Sequence, residues 1–168
     1  GREAPAPIKA CPWCGTLFGR NSFSCKPSDA APQNMEVRCA NAACDFTRDR
    51  PLPVLTVDEA IYRRLPAFLI ATVDKFAGLP WVGSAGGFFG HVDRTDEWGF
   101  YGAAEPGRGK NLWNGQTLLP PDLIVQDELH LISGPLGTVA ALYEAALDGL
   151  ASREWMGRKI RPKIVAST

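Results

Sequence analysis

Residues 122–130 have the sequence DLIVQDELH, an apolar run that closes on two adjacent acidic residues. This pattern is typical of a buried parallel strand with carboxylates at its C-terminal edge. Residues 137–150 then carry apolar side chains at helical spacing, and residues 162–166 supply a further apolar run. Strand, helix and strand in this order predict a parallel crossover, so the second half of the chain is predicted to be of the α/β class.

The chain upstream of this stretch is less regular. Residues 57–65 are compatible with a helix capped by Thr56, and residues 68–73 predict a short buried strand. Residues 77–120 are rich in glycine and aromatic residues without a sustained period. That pattern predicts a long ordered insertion or a partly mobile loop.

Residues 1–50 carry all five cysteines and few large aliphatic residues, so an apolar core alone cannot hold them. Cys11 and Cys14 are separated by two residues, and Cys39 and Cys44 form a looser second pair. Two such pairs predict a closed tetrahedral zinc site of structural type. Disulfides or a redox pair are the alternatives, and both are disfavoured because the chain lacks secretory and thioredoxin-like features. Cys25 is expected to be free, with replacement of a ligand in the looser pair as the alternative.

The composition and net charge limit the classes of protein to which the chain can belong. The 168 residues include 18 basic and 18 acidic side chains, so the chain as a whole is not a basic nucleic-acid-binding body and such contacts must be local. Its apolar runs are far shorter than a membrane span, and its start does not resemble a signal peptide, so no membrane partner and a cytoplasmic location are expected. A start without methionine and an end in an apolar strand suggest a fragment of a larger protein.

The acidic pair is the strongest catalytic candidate. Nucleotide hydrolysis requires one carboxylate at a strand end to hold magnesium and a neighbouring one to orient or deprotonate the attacking water, and Asp127 and Glu128 have this arrangement. His130 follows closely, and the later strand ends in Ser167 and Thr168, as an adjacent parallel strand would. The alternative is that both acids belong to a solvated turn.

These residues resemble the motifs of superfamily-two helicases. The sequence LIVQDELH at 123–130 resembles motif II, VAST at 165–168 resembles the start of motif III, and IATVDKF at 70–76 occupies the place of motif Ib. With a zinc ribbon before motif Ib, the chain is similar to large bacterial helicase-like proteins that include the DrmA component of the DISARM antiphage system. The resemblance implies a partial RecA-like parallel sheet over residues 51–168 and a small zinc ribbon inserted at residues 1–50.

The resemblance also implies roles. Asp127 would bind magnesium, Glu128 would act as general base, and His130 would couple nucleotide state to Ser167 and Thr168. Thr72 and Lys75 would meet phosphates of a nucleic acid, with DNA favoured over RNA, and protein partners of a defence complex are implied. The alternatives are a strand terminator at Thr72, a surface charge at Lys75 and a core histidine at His130. His91 is expected to be a loop residue.

A phosphate-binding loop is missing from the sequence. The closest match, GRGKN at 107–111, has Ala104 where the first glycine belongs and Asn111 where the magnesium-binding hydroxyl belongs. ATP and magnesium are therefore expected only in a full-length protein, and this chain alone should not hydrolyse ATP. Arg94, Arg108 and Lys110, with the aromatic residues of the insertion, could track a single strand, whereas a local satellite core is the plainer interpretation.

Two rival functions remain open. One is a non-catalytic zinc-ribbon interaction module, in which Asp127 and Glu128 only solvate a strand end. The other is a magnesium nuclease, which is weaker because no further acidic cluster suggests a two-metal site.

Overall fold

The computed structural model describes residues 7–72, 75, 78–113, 118–127 and 135–167, without the side chains of residues 135–141. The chain divides into two compact units. The first comprises Gly1–Leu69 and Thr95–Phe100, and the second comprises Ile70–Arg94 and Tyr101–Thr168.

The first unit is organised around an antiparallel hairpin. A short 3-10 helix at Arg20–Ser22 leads into strand β1 (Phe23–Pro27), which pairs with strand β2 (Pro32–Val37). Val37 is fully buried, and its carbonyl accepts a hydrogen bond of 2.7 Å from the amide of Leu52, which is also buried. This bond connects the chain after the second cysteine pair to the end of the hairpin.

Helix α1 (Asp58–Arg64) begins after Val57, so the prediction of Thr56 as its cap is wrong. The helix starts without a side-chain cap, and two acidic residues in its first turn interact favourably with the exposed amides. The Thr56 hydroxyl is buried and has no hydrogen-bond partner among the described residues. The helix ends at Arg64 and is followed by Leu65, whose backbone is left-handed with φ 50°.

The predicted buried strand at residues 68–73 is wrong over its described part. Residues 68–72 form no strand, and Phe68 and Ile70 are 81% and 84% exposed. An apolar run becomes a strand only when a neighbouring strand pairs with its amides and carbonyls, and the described residues supply none here.

The glycine- and aromatic-rich segment is ordered over its described residues 78–113, in agreement with one of the two interpretations of its sequence. It contains 3-10 helices at Leu79–Trp81 and Gly83–Phe89. Three short strands follow and form one sheet in the order β4-β3-β5: β3 (Arg94–Asp96), β4 (Gly99–Tyr101) and β5 (Lys110–Asn111). His91 lies in the loop before β3, as expected.

The Arg94 guanidinium holds the loop after β4 in place. It donates to the backbone carbonyls of Gly102 (2.6 Å), Glu105 (2.9 Å) and Arg108 (3.0 Å), and its side chain is only 14% exposed. Its Nε also lies 3.0 Å from the Asp93 carboxylate. The donors of Arg94 are thus directed at its own loop, which makes it a structural residue and removes it from the candidates for strand contact.

The second half of the chain contains two strands that pair in parallel. Strand β6 (Leu123–Gln126) pairs in parallel with strand β9 (Lys163–Ala166), and helix α2 (Pro135–Ala151) lies between them in the sequence. A second hairpin, β7 (Arg153–Trp155) with β8 (Arg158–Ile160), separates α2 from β9 and was not anticipated from the sequence.

The predicted order of strand, helix and strand is therefore present, and its two strands form a two-stranded parallel sheet. Leu123 and Val125 are 56% and 61% exposed, so the prediction that this strand is buried is wrong for the chain as it stands. Parallel strands are normally covered on both faces, and the described residues provide no such covering layer. A complete RecA-like sheet remains a prediction. No helix among the described residues is both long and apolar enough to cross a membrane.

Candidate functional site

The first cysteine pair lies on a tight turn. The amide of Cys11 donates to the carbonyl of Thr16, and the amide of Gly15 donates back to the carbonyl of Cys11, both at 2.8 Å. Gly15 has φ 75°, a left-handed conformation that glycine adopts without steric cost. The turn therefore depends on the glycine that directly follows Cys14.

The second pair accommodates four intervening residues through a side-chain turn. The amide of Cys39 donates to the Phe46 carbonyl at 2.7 Å, and the amide of Cys44 donates to the Asn41 carbonyl at 3.0 Å. The side-chain oxygen of Asn41 accepts from the amide of Ala43 at 2.9 Å. This local turn takes up the extra residues, so the looser spacing still directs both sulfurs to one point.

The structure brings the four predicted ligands together. The sulfurs of Cys11, Cys14, Cys39 and Cys44 all lie within 4.8 Å of one another. The Sγ atoms of Cys11 and Cys44 are 3.9 Å apart, and those of Cys14 and Cys39 are 3.4 Å apart. Tetrahedral zinc with bonds of about 2.3 Å requires sulfur separations of about 3.8 Å, so four thiolates at these distances can hold one metal ion.

The pKa values of the thiols differ because their surroundings differ. Hydrogen bonds with the side chain and backbone of Thr16 lower the pKa of Cys14 to about 6. The backbone amide of Phe46 lowers the pKa of Cys44, but burial and the neighbouring thiols outweigh it and raise that pKa to about 12. Burial also raises the pKa of Cys39. A metal ion must therefore displace protons from the buried thiols on binding.

The cysteines are also the core of the first unit. Five residues form its buried apolar cluster, and three of them are Cys11, Cys39 and Cys44, with Val37 and Leu52 as the others. Partly buried side chains pack around them: Phe18, Phe23, Met35, Phe46 and Val54. The four-cysteine cluster and the hydrophobic core of this unit therefore share three residues.

Cys25 lies apart from the cluster, on β1 opposite Met35. Burial, and then the Asp29 carboxylate, raise the pKa of its thiol.

With metal bound, we expect iodoacetamide to modify Cys25 while the four clustered thiols stay protected, and a chelator to expose those four. The Cys25 rate should keep rising with pH above the ordinary thiol pKa, because the thiolate is the reactive form. Peptide-resolved mass spectrometry of the intact protein measures this, and protection of Cys25 equal to that of Cys44 would contradict it.

A second candidate site lies at the C-terminal ends of β6 and β9. Asp127 directly follows β6, and Ser167 directly follows β9. The amide of Ser167 donates to the carbonyl of Gln126 at 2.9 Å, and its hydroxyl donates to the Asp127 carboxylate. The parallel pairing thus places a carboxylate and a hydroxyl, 40 positions apart in the sequence, in direct contact at an exposed edge. Glu128, His130 and Thr168 lie outside the described residues.

The candidate nucleic-acid residues have different surroundings. Thr72 and Lys75 are exposed and are linked by a hydrogen bond of 3.0 Å from the Lys75 amide to the Thr72 carbonyl. The Arg108 guanidinium lies 5.1 Å from the centre of the Tyr101 ring and donates to its hydroxyl at 3.1 Å. Tyr101 is buried, so Arg108 packs against a fixed ring of its own chain, whereas Trp81 and Trp113 of the same segment are 89% and 81% exposed and do not join a local core. Lys110 is exposed on β5.

Comparison with known proteins identifies one informative relative. No protein-family model matches the chain. In an alignment 166 positions long that covers 94% of the chain, the chain is 38% identical to the DISARM protein DrmA of Bacillus paralicheniformis, and it spans 15% of that protein. The chain is therefore similar to one segment of a much longer DISARM protein, and the resemblance to DrmA inferred from its motifs is confirmed.

Proposed function

We propose that the chain is part of the motor domain of an ATP-dependent nucleic-acid helicase or translocase that acts in antiphage defence. The similarity to a DISARM protein supports the defence role. The helicase motifs support the motor role, and the contact between Asp127 and Ser167 is the observation that carries it, because it joins the ends of motifs II and III.

The strand edge can be assigned roles on this basis. The exposed Asp127 carboxylate is the kind of oxygen ligand that magnesium prefers. Magnesium would supply charge neutralisation to the phosphates of ATP. Ser167 holds the orientation of the Asp127 carboxylate through its hydroxyl, and it is therefore placed to respond when that carboxylate changes partner. Glu128 would orient the attacking water, while His130 and Thr168 would transmit the nucleotide state.

The four-cysteine cluster is proposed to hold structural zinc. Four thiolates close a tetrahedral shell and leave no position for a reactive water. Residues 1–50 would thus form a zinc ribbon inserted into a RecA-like domain to which residues 51–168 contribute. DNA is the proposed substrate, contacted by the exposed Thr72 and Lys75, and by Lys110 with Arg108.

The direct test is ATP hydrolysis by the natural full-length protein, with and without single-stranded DNA. We expect turnover that rises when the DNA is added, because a translocase couples hydrolysis to occupancy of its nucleic-acid site. RNA and duplex DNA of equal length serve as comparisons and decide the substrate. Absence of turnover with all three nucleic acids would contradict the motor assignment.

A non-catalytic interaction module is the second candidate. The contact from Ser167 also satisfies the Asp127 carboxylate as a simple strand-end hydrogen bond would. In addition, Trp13 is 65% exposed and lies edge-on to Phe46 at 5.5 Å, beside the cysteine cluster. Tryptophan is enriched at protein interfaces relative to the rest of the surface. This function predicts binding of a partner protein without any ATP turnover.

A further inference from the structure

The β7–β8 hairpin concentrates positive charge in a chain that is neutral overall. Residues 153–163 contain five basic residues and one acidic residue, whereas the whole chain has 18 of each. The basic residues are Arg153, Arg158, Lys159, Arg161 and Lys163. Neither the strand-edge site nor the cysteine cluster uses this segment.

The hairpin is tightly defined and presents an aromatic side chain near its tip. Its two turn residues, Met156 and Gly157, have φ 49° and 72°, as in the primed two-residue turns that match the twist of antiparallel strands. Trp155 and Arg158 are directly opposite each other, so both side chains lie on one face. Trp155 is 61% exposed and Met156 is 87% exposed.

Most of the positive charge is not neutralised by the chain. Arg158, Lys159 and Lys163 are exposed and form no ion pair within the part of the chain that the structure describes. Arg161 lies 3.7 Å from Asp148, at the outer limit of an ion pair. Arg153 is different, because it bonds to Asp122 at 2.8 Å and ties the base of the hairpin to the residue before β6.

The ion pair between Arg153 and Asp122 also defines where the hairpin lies within its unit. Its base lies at the start of β6, whereas Asp127 lies at the other end, about 13 Å away along the strand at the usual rise per residue. A ligand on the hairpin would therefore be separate from anything bound at the carboxylate edge.

We propose that residues 153–163 are a contact surface for single-stranded nucleic acid. Trp155 stacks on a base and Arg158, on the same face, neutralises a phosphate, with Arg161 and Lys163 extending the basic path. A single strand fits better than an acidic protein because its charges are evenly spaced and its bases offer stacking faces beside each phosphate. The proposal deepens the proposed function, on which it rests for the presence of a nucleic acid.

The first test is charge reversal in the natural full-length protein. The double variant Arg158→Glu, Lys163→Glu is compared with Lys9→Glu, Arg20→Glu, which reverses two exposed charges of the first unit. Fluorescence anisotropy with labelled oligothymidylate at several salt concentrations is the measurement. We expect the hairpin variant to bind at least ~10-fold more weakly and to lower the salt slope by about 1.4, the value for two lost contacts to a single strand. The control variant should match wild type.

The second test isolates stacking. Trp155→Ala is expected to weaken binding about tenfold, and Trp155→Phe to retain most of it, because a phenyl ring still stacks on a base. Both variants should fold, since the side chain is mostly exposed.

If the charge-reversal and Trp155→Ala variants bind like wild type, the hairpin proposal is overturned while the motor function stands. If the variants lose a protein partner and keep DNA affinity, the surface belongs to that partner and the proposal is equally overturned. If wild type binds no nucleic acid, the proposed function fails with it.

Discussion

Replacing Cys44 by serine in the intact protein is expected to release one zinc ion per chain and to unfold residues 7–54. The substitution removes one of four ligands and also one of the five buried residues of the local core. Val37 and Leu52 alone cannot hold a segment of this length, because a domain this small usually requires a metal or disulfides. Structural zinc contributes apparent free energies of about 10–16 kcal/mol in small metal-held domains, so the effect should be large.

The matched control is Cys25→Ser, which removes a thiol of the same hairpin outside the cluster. We expect its effect on the free energy of unfolding to be under about 1 kcal/mol, as for most replacements outside a core or a metal site. Metal content measured by mass spectrometry and hydrogen exchange of the peptides over residues 7–54 report the two outcomes separately. If Cys44→Ser keeps its metal and its protected amides while Cys25→Ser loses them, the ligand assignment is wrong and Cys25 is the fourth ligand.

The four-cysteine cluster could be predicted because cysteine spacing is a local property. Two residues between Cys11 and Cys14, with glycine next, already describe a turn around an ion. The wider spacing of Cys39 and Cys44 was harder to interpret, since the turn made by the Asn41 side chain decides it. An asparagine two positions after a cysteine is a recognisable turn signal, and it could have been used.

Predictions from the sequence are less accurate where the structure of a residue depends on contacts with residues far away in the sequence. Residues 68–72 have the composition of a strand, but a strand also requires a neighbour, and no feature of the local sequence states whether one is present. The charge of Arg94 alone favours nucleic-acid contact. Its three carbonyl partners lie 8 to 14 positions away, so its structural role becomes visible only in the folded loop.

The β7–β8 hairpin lacks the sequence signals that predict a hairpin. Its turn is Met-Gly, whereas two-residue hairpin turns usually carry asparagine or aspartate before the glycine because methionine is unfavourable at positive φ. The alternating segments around it are also only three residues long. The parallel pairing of β6 with β9, in contrast, followed from two apolar runs separated by a helix, which leaves few other arrangements.

Replacing Glu128 by glutamine in the full-length protein is expected to lower nucleic-acid-stimulated ATP turnover by about 10²–10⁴-fold, the usual contribution of a general base. Glutamine retains the size and hydrogen-bonding shape of the side chain but cannot accept the proton of the attacking water. ATP affinity should change by less than about twofold, because the phosphate contacts and Asp127 remain. A fall in kcat without a rise in Kd is the signature of an interaction made in the transition state.

Glu97→Gln is the matched control, since it removes an exposed carboxylate of the first unit by the same chemical change. It should leave turnover and ATP affinity at wild-type values. Steady-state hydrolysis, with nucleotide binding measured separately by equilibrium titration, distinguishes the two functions considered for this chain. Equal turnover in Glu128→Gln and wild type would mean that the acidic pair only solvates the end of β6, and the contact between Asp127 and Ser167 would then be a strand-end hydrogen bond of an interaction module. Lost turnover with retained ATP binding would instead assign that contact to the coupling of nucleotide state between two motor motifs, because the carboxylate that Ser167 orients is adjacent to the base that was removed.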